Sequence, residues 1–356
     1  MKYFKQLDGL RFFAILGVLI AHWLQSTISI DFLKDLHYGS GVTLFFVISG
    51  FLITTILFDF NDKNRASGER NIHSIKSFYA RRTLRIFPIY YLTIILLFLL
   101  NFQDSRILFP WLISYTTNIK MALVNNYIGS FTHFWSLAVE EQFYLFWAFF
   151  MVFIPRKYLK ITILISILFS LLLKYYYSFF TPYWMAANAL VLCNMYSLGS
   201  GALIAWYFRY KPAYFEKIKT KKIKIIVLVL ILVYLTVFAV CPKEFSAKFN
   251  VFADPYLAII YALIVFLAVK ASFKGFAKKI LENRVVVYLG KISYGLYIYH
   301  LFIPPLFYLF LNNLFKIHTT DFGYFLIFLV LNISLASLTW FFFEKPILGL
   351  KRYFKY

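Results

Sequence analysis

Residues 223–240 read IKIIVLVLILVYLTVFAV, eighteen positions with one charge, Lys224. A helix of that length rises about 27 Å, close to the ~30 Å of hydrocarbon in a bilayer. Nothing in the run alternates polar with apolar, as a half-buried strand would. The stretch therefore reads as a membrane-crossing helix. The rest of the chain agrees with it. Of 356 residues, 62% are hydrophobic and 15% charged, against roughly 45–50% and 25% in a soluble domain. A soluble fold of this length has too little interior to hide that much Phe, Leu and Ile, whereas lipid is itself the apolar solvent.

Working outward, the apolar runs predict spans at 8–26, 40–60, 86–102, 135–154, 160–178, 189–208, 223–240, 252–269, 291–311 and 323–342. The fold class expected is all-α, a polytopic transmembrane helix bundle of about ten spans. Pro304 and Pro305 interrupt the ninth run; such breaks are tolerated when neighbouring helices satisfy the freed carbonyls. The first run follows a basic end, as a signal peptide does. It is not followed by a small-residue cleavage site and carries Arg11 and His22, so it reads as a retained helix. No repeat, low-complexity tract or separate soluble domain is visible, and 1–356 reads as one transmembrane domain. Residues 102–134 form the longest segment between runs and suggest a re-entrant or surface-lying lid.

The net charge of +22 raises the question of a nucleic-acid partner. Its distribution answers it. With the N-terminus inside, the inner segments (the start to Arg11, 61–85, 155–160, 209–224, 270–291 and the tail from Lys345) hold 30 of the 37 Lys and Arg residues. The outer side keeps Lys34, Arg106, Lys120, Lys174, Lys243, Lys248 and Lys316. This is the positive-inside pattern, which places both termini in the cytoplasm and accounts for the charge without nucleic acid. The run RYKPAYFEKIKTKKIK at 209–224 is then a solvated loop near anionic lipid. The two cysteines, Cys193 and Cys241, have no metal-site spacing and imply no disulfide framework.

Ionisable groups inside lipid are costly and mark function by default. They fall into four clusters. Asp8, Arg11 and His22 share one face of the first span, with Arg11 and His22 about 16 Å apart along the axis; a packing histidine and a positive-inside arginine would leave the same pattern. Arg81, Arg82 and Arg85 enter the third span. Arg82 and Arg85 are an i, i+3 pair of guanidinium forks suited to a phosphate or pyrophosphate, though positive-inside charge alone would also place them there. His133, Trp135, Ser136, Glu140, Glu141 and Tyr144 open the fourth span. The adjacent glutamates diverge by about 100°, so one can face the bundle and the other a neighbour; acidic residues in first turns also complement the helix dipole. Ser293, Tyr297 and His300 form an i, i+4, i+7 stripe, which fits a cavity wall or plain interhelical hydrogen bonds. Arginines on the inner side and histidine deeper in suggest a path for a phosphorylated ligand whose reactive end reaches the membrane interior.

Six pieces, LDGLRFFAILGVLIAHW (7–23), GVTLFFVISGFLIT (41–54), FYARRTLRIFPIYYL (78–92), HFWSLAVEEQFYLFW (133–147), ISYGLYIYHLF (292–302) and FFFEKPIL (341–348), together resemble the acyltransferase-3 family of membrane acyltransferases, in the family's order and across nearly the whole chain. The resemblance implies ten helices in a bacterial cell (inner) membrane. It implies transfer of an acyl group, usually acetyl, from cytoplasmic acyl-CoA to a hydroxyl of a surface glycan or glycolipid. Acyl-CoA (acetyl-CoA) is then the donor substrate, with no permanently bound cofactor and no metal. By resemblance His22 is catalytic, with Glu141 and Tyr297 assigned beside it. Arg11, Arg82 and Arg85 are assigned to acyl-CoA, and Asp8, Trp135, Glu140, Ser293 and His300 to the acceptor or to support. Some members carry an extracellular esterase-like domain; with the chain read as ending at Tyr356, none is expected. A transporter or flippase of a lipid-linked or polar solute is the rival class; it shares the many spans but does not require paired inner arginines below a deeper base.

Overall fold

In the computed structural model, the described residues are 3–25, 38–67, 71–240 and 246–354; the side chains of 38, 64–67, 71–74 and 246–250 lie outside the description. Cys241, Lys34, Lys243 and the side chain of Lys248 fall outside these residues. Every regular element among the described residues is helical. The long ones are α1 (Lys5–Trp23), α2 (Gly41–Ser67) and α3 (Asn71–Leu99). Two short helices, α4 (Ser105–Ile113) and α5 (Thr117–Val124), lead to α6 (Phe134–Phe153). Then come α7 (Leu159–Phe180), the short α8 (Trp184–Ala189), α9 (Val191–Tyr210), α10 (Thr220–Val240) and α11 (Ser246–Val269). The chain closes through α12 (Arg284–Lys291), α13 (Ser293–Tyr299), α14 (Ile303–Leu306) and α15 (Asp321–Thr339).

Among the described residues eight helical stretches are long and apolar enough to cross a bilayer. A ninth forms if Ser293–Tyr299 and Ile303–Phe315, bent by 58° at the expected proline break, count as one span. The expected first span is α1, nineteen residues long. It carries Asp8, Arg11 and His22, and much of it packs against protein: Leu7, Asp8, Leu10, Ala14, Ile15 and Val18 are all buried. The described residues thus give eight or nine candidate spans against the expected ten, and α1 is not among them. α2 is central and α10 peripheral, with 72% against 11% of their apolar windows buried. Both described ends of the chain meet at one end of the bundle, where Tyr3 and Leu348 line the same cavity and the Arg81 guanidinium donates to the carbonyls of Lys351 and Phe354.

The structure adds detail at three places. The 61–85 segment is not a loop: α2 runs to Ser67 and α3 starts at Asn71. Arg81, Arg82 and Arg85 therefore lie well inside a helix that begins some fifteen residues before the predicted span; Arg82 and Arg85 face a cavity, and Arg81 faces the Lys351 and Phe354 carbonyls. The 102–134 segment, expected as a re-entrant or surface-lying lid, is bonded to α3 and α6. Tyr90 and Tyr91 hydroxyls donate to the carbonyls of Leu112 and Ile113 at 2.8 and 2.9 Å. Gln142 on α6 exchanges side-chain hydrogen bonds with Asn118 at 3.0 and 2.9 Å. Lys174, counted with the outer face, is buried on α7: its ammonium sits 3.2 Å from Asp254 of α11 and 3.2 Å from Asn188 Oδ1. A cation in the bundle needs such a counter-charge, and this one ties α7 to α8 and α11.

The tightest crossing is α2 on α9. A Cβ on Gly50 would strike the Leu198 carbonyl, and one on Gly201 the Val47 carbonyl. Lipid supplies no hydrophobic drive between helices, so close backbone approach at small residues supplies the packing instead. The same device sets α12 on α1, where a Cβ on Gly290 would meet the Asp8 carbonyl. Gly201→Val is expected to force the α2–α9 crossing apart at a cost of about 1–3 kcal/mol. Asp254→Ala, which strands the Lys174 ammonium, is expected to be at least as harmful. Both show as a lowered midpoint of thermal unfolding in nanodiscs, and an unchanged midpoint for either variant refutes its role.

Candidate active site

α1 places Asp8 and Arg11 one turn apart, so the carboxylate reaches back to the guanidinium at 3.2 Å. Tyr3 donates to the other carboxylate oxygen at 2.6 Å. Arg11 is thus held in one position rather than left to sample rotamers. It shares a cavity of about 300 Å³ with Arg82, Arg85 and Lys291, together with Tyr3, Asp8, Tyr294, Trp340 and Glu344. Arg82 and Arg85 project there from α3, as their i, i+3 spacing requires. The Arg82 guanidinium also stands 5.9 Å from the Tyr144 ring centre, where a cation meets the negative ring face. Four cations against two carboxylates leave the cavity net positive, a setting for a multiply charged anion.

A smaller inner cavity continues past Arg11 and Arg85, which line both. Its other walls include Ser49, Ser136, Glu140, Tyr144, Ser293, Tyr294 and Tyr297. Glu140 accepts from the Ser49 hydroxyl at 2.6 Å. Glu141, one residue on, is not a lining residue of either cavity, as the ~100° step between helical neighbours dictates. The inner end is closed by the Tyr297 hydroxyl, 2.6 Å from Ser136 Oγ and donating to the His133 carbonyl at 3.0 Å.

Beyond Tyr297 stand three imidazoles. The ring of His300 lies 5.2 Å from that of Tyr297, 4.9 Å from His133 and 4.9 Å from His22. His22 is exposed, whereas His300 and His133 are buried. His22 Nδ1 lies 2.9 Å from the Val18 carbonyl. A carbonyl only accepts, so Nδ1 carries the hydrogen and Nε2 is left as the basic lone pair. The face shared by Arg11 and His22 is real, but the two residues open onto different spaces: Arg11 onto both cavities, His22 onto neither, with Tyr297 and His300 between.

The structure therefore brings Asp8, Arg11, Arg82, Arg85, Glu140, Ser293 and Tyr297 to two adjoining cavities that share Arg11, Arg85 and Tyr294, and leaves His22 and His300 outside their lining, with His300 beside Tyr297. Trp135 packs edge-on against Phe46 at 5.9 Å instead, outside the lining. Ser49, Lys291, Tyr294 and Glu344 join the site without having been singled out. Ser49, Tyr294 and Glu344 lay inside quoted motifs, but nothing in their spacing separated them from neighbours. Glu344 closes a π-helical stretch, Trp340–Glu344, a local widening common at functional sites. Among the described residues no group of three His, Cys, Asp or Glu side chains is placed to hold a metal.

The sequence profile of the family described as "Acyltransferase domain" matches residues 4–341. The chain belongs to this acyltransferase-3 family. The O-acetyltransferase OatA of Staphylococcus aureus (strains NCTC 8325 and COL) is 27% identical over 372 residues, covering 97% of this chain and 57% of the relative. A putative O-acetyltransferase of S. aureus strain COL is 28% identical over 329 residues, covering 84% of this chain and 50% of the relative. The chain thus spans between half and three-fifths of the length of these curated relatives. No solved structure gives a significant match.

The cation set makes a prediction independent of any reaction. The protein in nanodiscs is expected to bind pyrophosphate, and Arg11→Ala with Arg85→Ala is expected to weaken binding tenfold or more, since each charge-assisted hydrogen bond removed costs about 1.5 kcal/mol or above. Isothermal titration measures it; equal affinity in the double variant removes both arginines from anion binding.

Proposed function

We propose that the protein is a membrane O-acyltransferase that moves an acyl group, acetyl by likeness to its relatives, from a coenzyme A thioester to a hydroxyl of an envelope glycan or glycolipid. The observation that carries the reading is the single polar route from Arg11, Arg82 and Arg85, through the inner cavity, to Tyr297 and the imidazoles behind it. The donor's phosphates would rest on the arginines, with the positive-inside charge pattern putting that mouth and both termini in the cytoplasm of a bacterial inner membrane. A transporter does not call for paired arginines at one mouth together with a base deeper along the same route.

The geometry supports the following roles. The pantetheine arm would run past Tyr294 and Ser293, setting the thioester carbonyl at the Tyr297 hydroxyl. That hydroxyl, now bonded to Ser136 and the His133 carbonyl, is a donor able to turn toward the oxyanion as it forms. His22, exposed at the far side, would meet the acceptor and take its hydroxyl proton on Nε2 as the oxygen attacks the acyl carbon. For the two substrates to meet, the arm must pass the Tyr297–His300 wall. An acyl-histidine formed on His22 and then attacked by the acceptor uses the same groups.

His22→Ala is expected to lower transfer of radiolabelled acetyl from acetyl-CoA into the host's envelope fraction by about 10²–10⁴-fold. Arg82→Ala with Arg85→Ala is expected to raise KM for acetyl-CoA while leaving kcat closer to wild type. Isolated membranes carrying each variant provide both readings. Full activity in His22→Ala would falsify the base assignment, and an unmoved KM would remove the arginines from the donor site.

A further inference from the structure

Two buried nitrogens in the wall have no role so far. His300 Nδ1 lies 2.6 Å from the Tyr297 carbonyl and His133 Nε2 lies 3.0 Å from that of Ile298. Both acceptors are carbonyls, so both nitrogens carry hydrogen, and in the neutral rings the lone pairs fall on His300 Nε2 and His133 Nδ1. Among the described residues both of those atoms are buried without a hydrogen-bond partner of good geometry, with the Ser130 backbone the one further polar group acting on the His133 ring. Buried polar atoms are nearly always satisfied, and one that is not asks for an explanation. Packing is a poor one, since Phe or Leu would fill the space without the penalty of an unmet acceptor.

The position of the two rings supplies a better one. His300 touches His22 on one side and His133 and Tyr297 on the other, with ring centres 4.9, 4.9 and 5.2 Å away. Its backbone is fixed by the Trp23 indole, which donates to the His300 carbonyl at 3.0 Å. Tyr297 belongs to the inner cavity, whereas neither His300 nor His133 lines it. The wall between the exposed base and the arginine-lined route therefore consists of groups that can accept and release a proton. Glu140 is the carboxylate lining that inner cavity and is engaged with Ser49.

We propose that His300 is a proton-transfer residue that returns the proton collected by His22 to the leaving sulfur, with His133 sharing the charge through Nδ1. The proposal rests on the acyl-transfer reading above. In the step, the acceptor O–H bond breaks and its oxygen bonds to the acyl carbon. The C–S bond breaks with its electron pair going to sulfur. The proton passes from oxygen to His22, on to His300 Nε2, and from there to the thiolate. An ester and a free thiol result, and no further reactant is needed.

The test measures transfer of radiolabelled acetyl from acetyl-CoA into the host's envelope fraction by membranes carrying His300→Ala. The expected result is a fall in kcat of about 10²-fold with KM for acetyl-CoA nearly unchanged, and recovery of roughly tenfold on adding imidazole. Pyrazole, a ring of the same size and far weaker basicity, is expected to give no recovery. Wild-type kcat in the variant, a change in KM alone, or equal rescue by pyrazole overturns the proposal, since each marks His300 as filler. Should His300→Ala fail to accumulate, the wild-type enzyme decides: rates across H₂O–D₂O mixtures are expected to curve, reporting more than one proton in flight, and a straight line overturns the relay. If wild-type membranes transfer no acetyl, the acyltransferase reading itself fails; if they do and His300→Ala matches them, only the relay does.

Discussion

A guanidinium inside a bundle that crosses lipid is stable only where protein or water takes the place of hydrocarbon around it, and much of this structure follows from meeting that demand for Arg11, Arg82 and Arg85. Asp8 neutralises Arg11 and is itself held by Tyr3. Tyr144 offers its ring to Arg82. The remaining demand is met by leaving space: helices that elsewhere approach to backbone contact part here to form two joined cavities. Desolvation makes such an arrangement expensive without a ligand of opposite sign, so the same constraint that shapes the bundle also selects what enters it.

Glycine packing and the polar site are parts of one design. Gly290 lets α12 lie on the backbone of Asp8, which carries Lys291 into the arginine cavity beside that carboxylate. Gly50 and Gly201 bring α2 onto α9, fixing the helix from which Ser49 reaches Glu140. In a soluble protein such closeness would follow from excluding water. In lipid it has to come from shape, and the small residues beside the charged ones are what provide it.

The route through the bundle changes character along its length. At the end where both described chain ends meet it is cationic; in the middle it is hydroxyl and carboxyl; at the far side it is imidazole. That order matches the chemistry of a donor that is anionic at one end and reactive at the other. Tyr297 is the joint between the last two zones, bonded to Ser136 on the cavity side, with its ring tilted to that of His300 and edge-on to that of His133 on the other.

Much of this was legible in the chain itself, for a physical reason: the cost of polar groups in hydrocarbon is so large that apolar runs and the few charges among them can be read directly. The helical class, the spans, the common face of Asp8 and Arg11, the Arg82–Arg85 pair and the Ser293–Tyr297–His300 stripe all follow from period and composition. Contacts between helices do not. Nothing in the order of residues says that Glu140 rather than Glu141 faces the cavity, that Lys174 finds Asp254 eighty residues away, or that Glu344 and Lys291 complete the arginine site. Nor does it say that His22 stands outside the cavities with His300 and His133 between. Those are decided only when helices rotate and pack against one another, because a helix's period fixes which residues share a face and its neighbours fix which way that face turns.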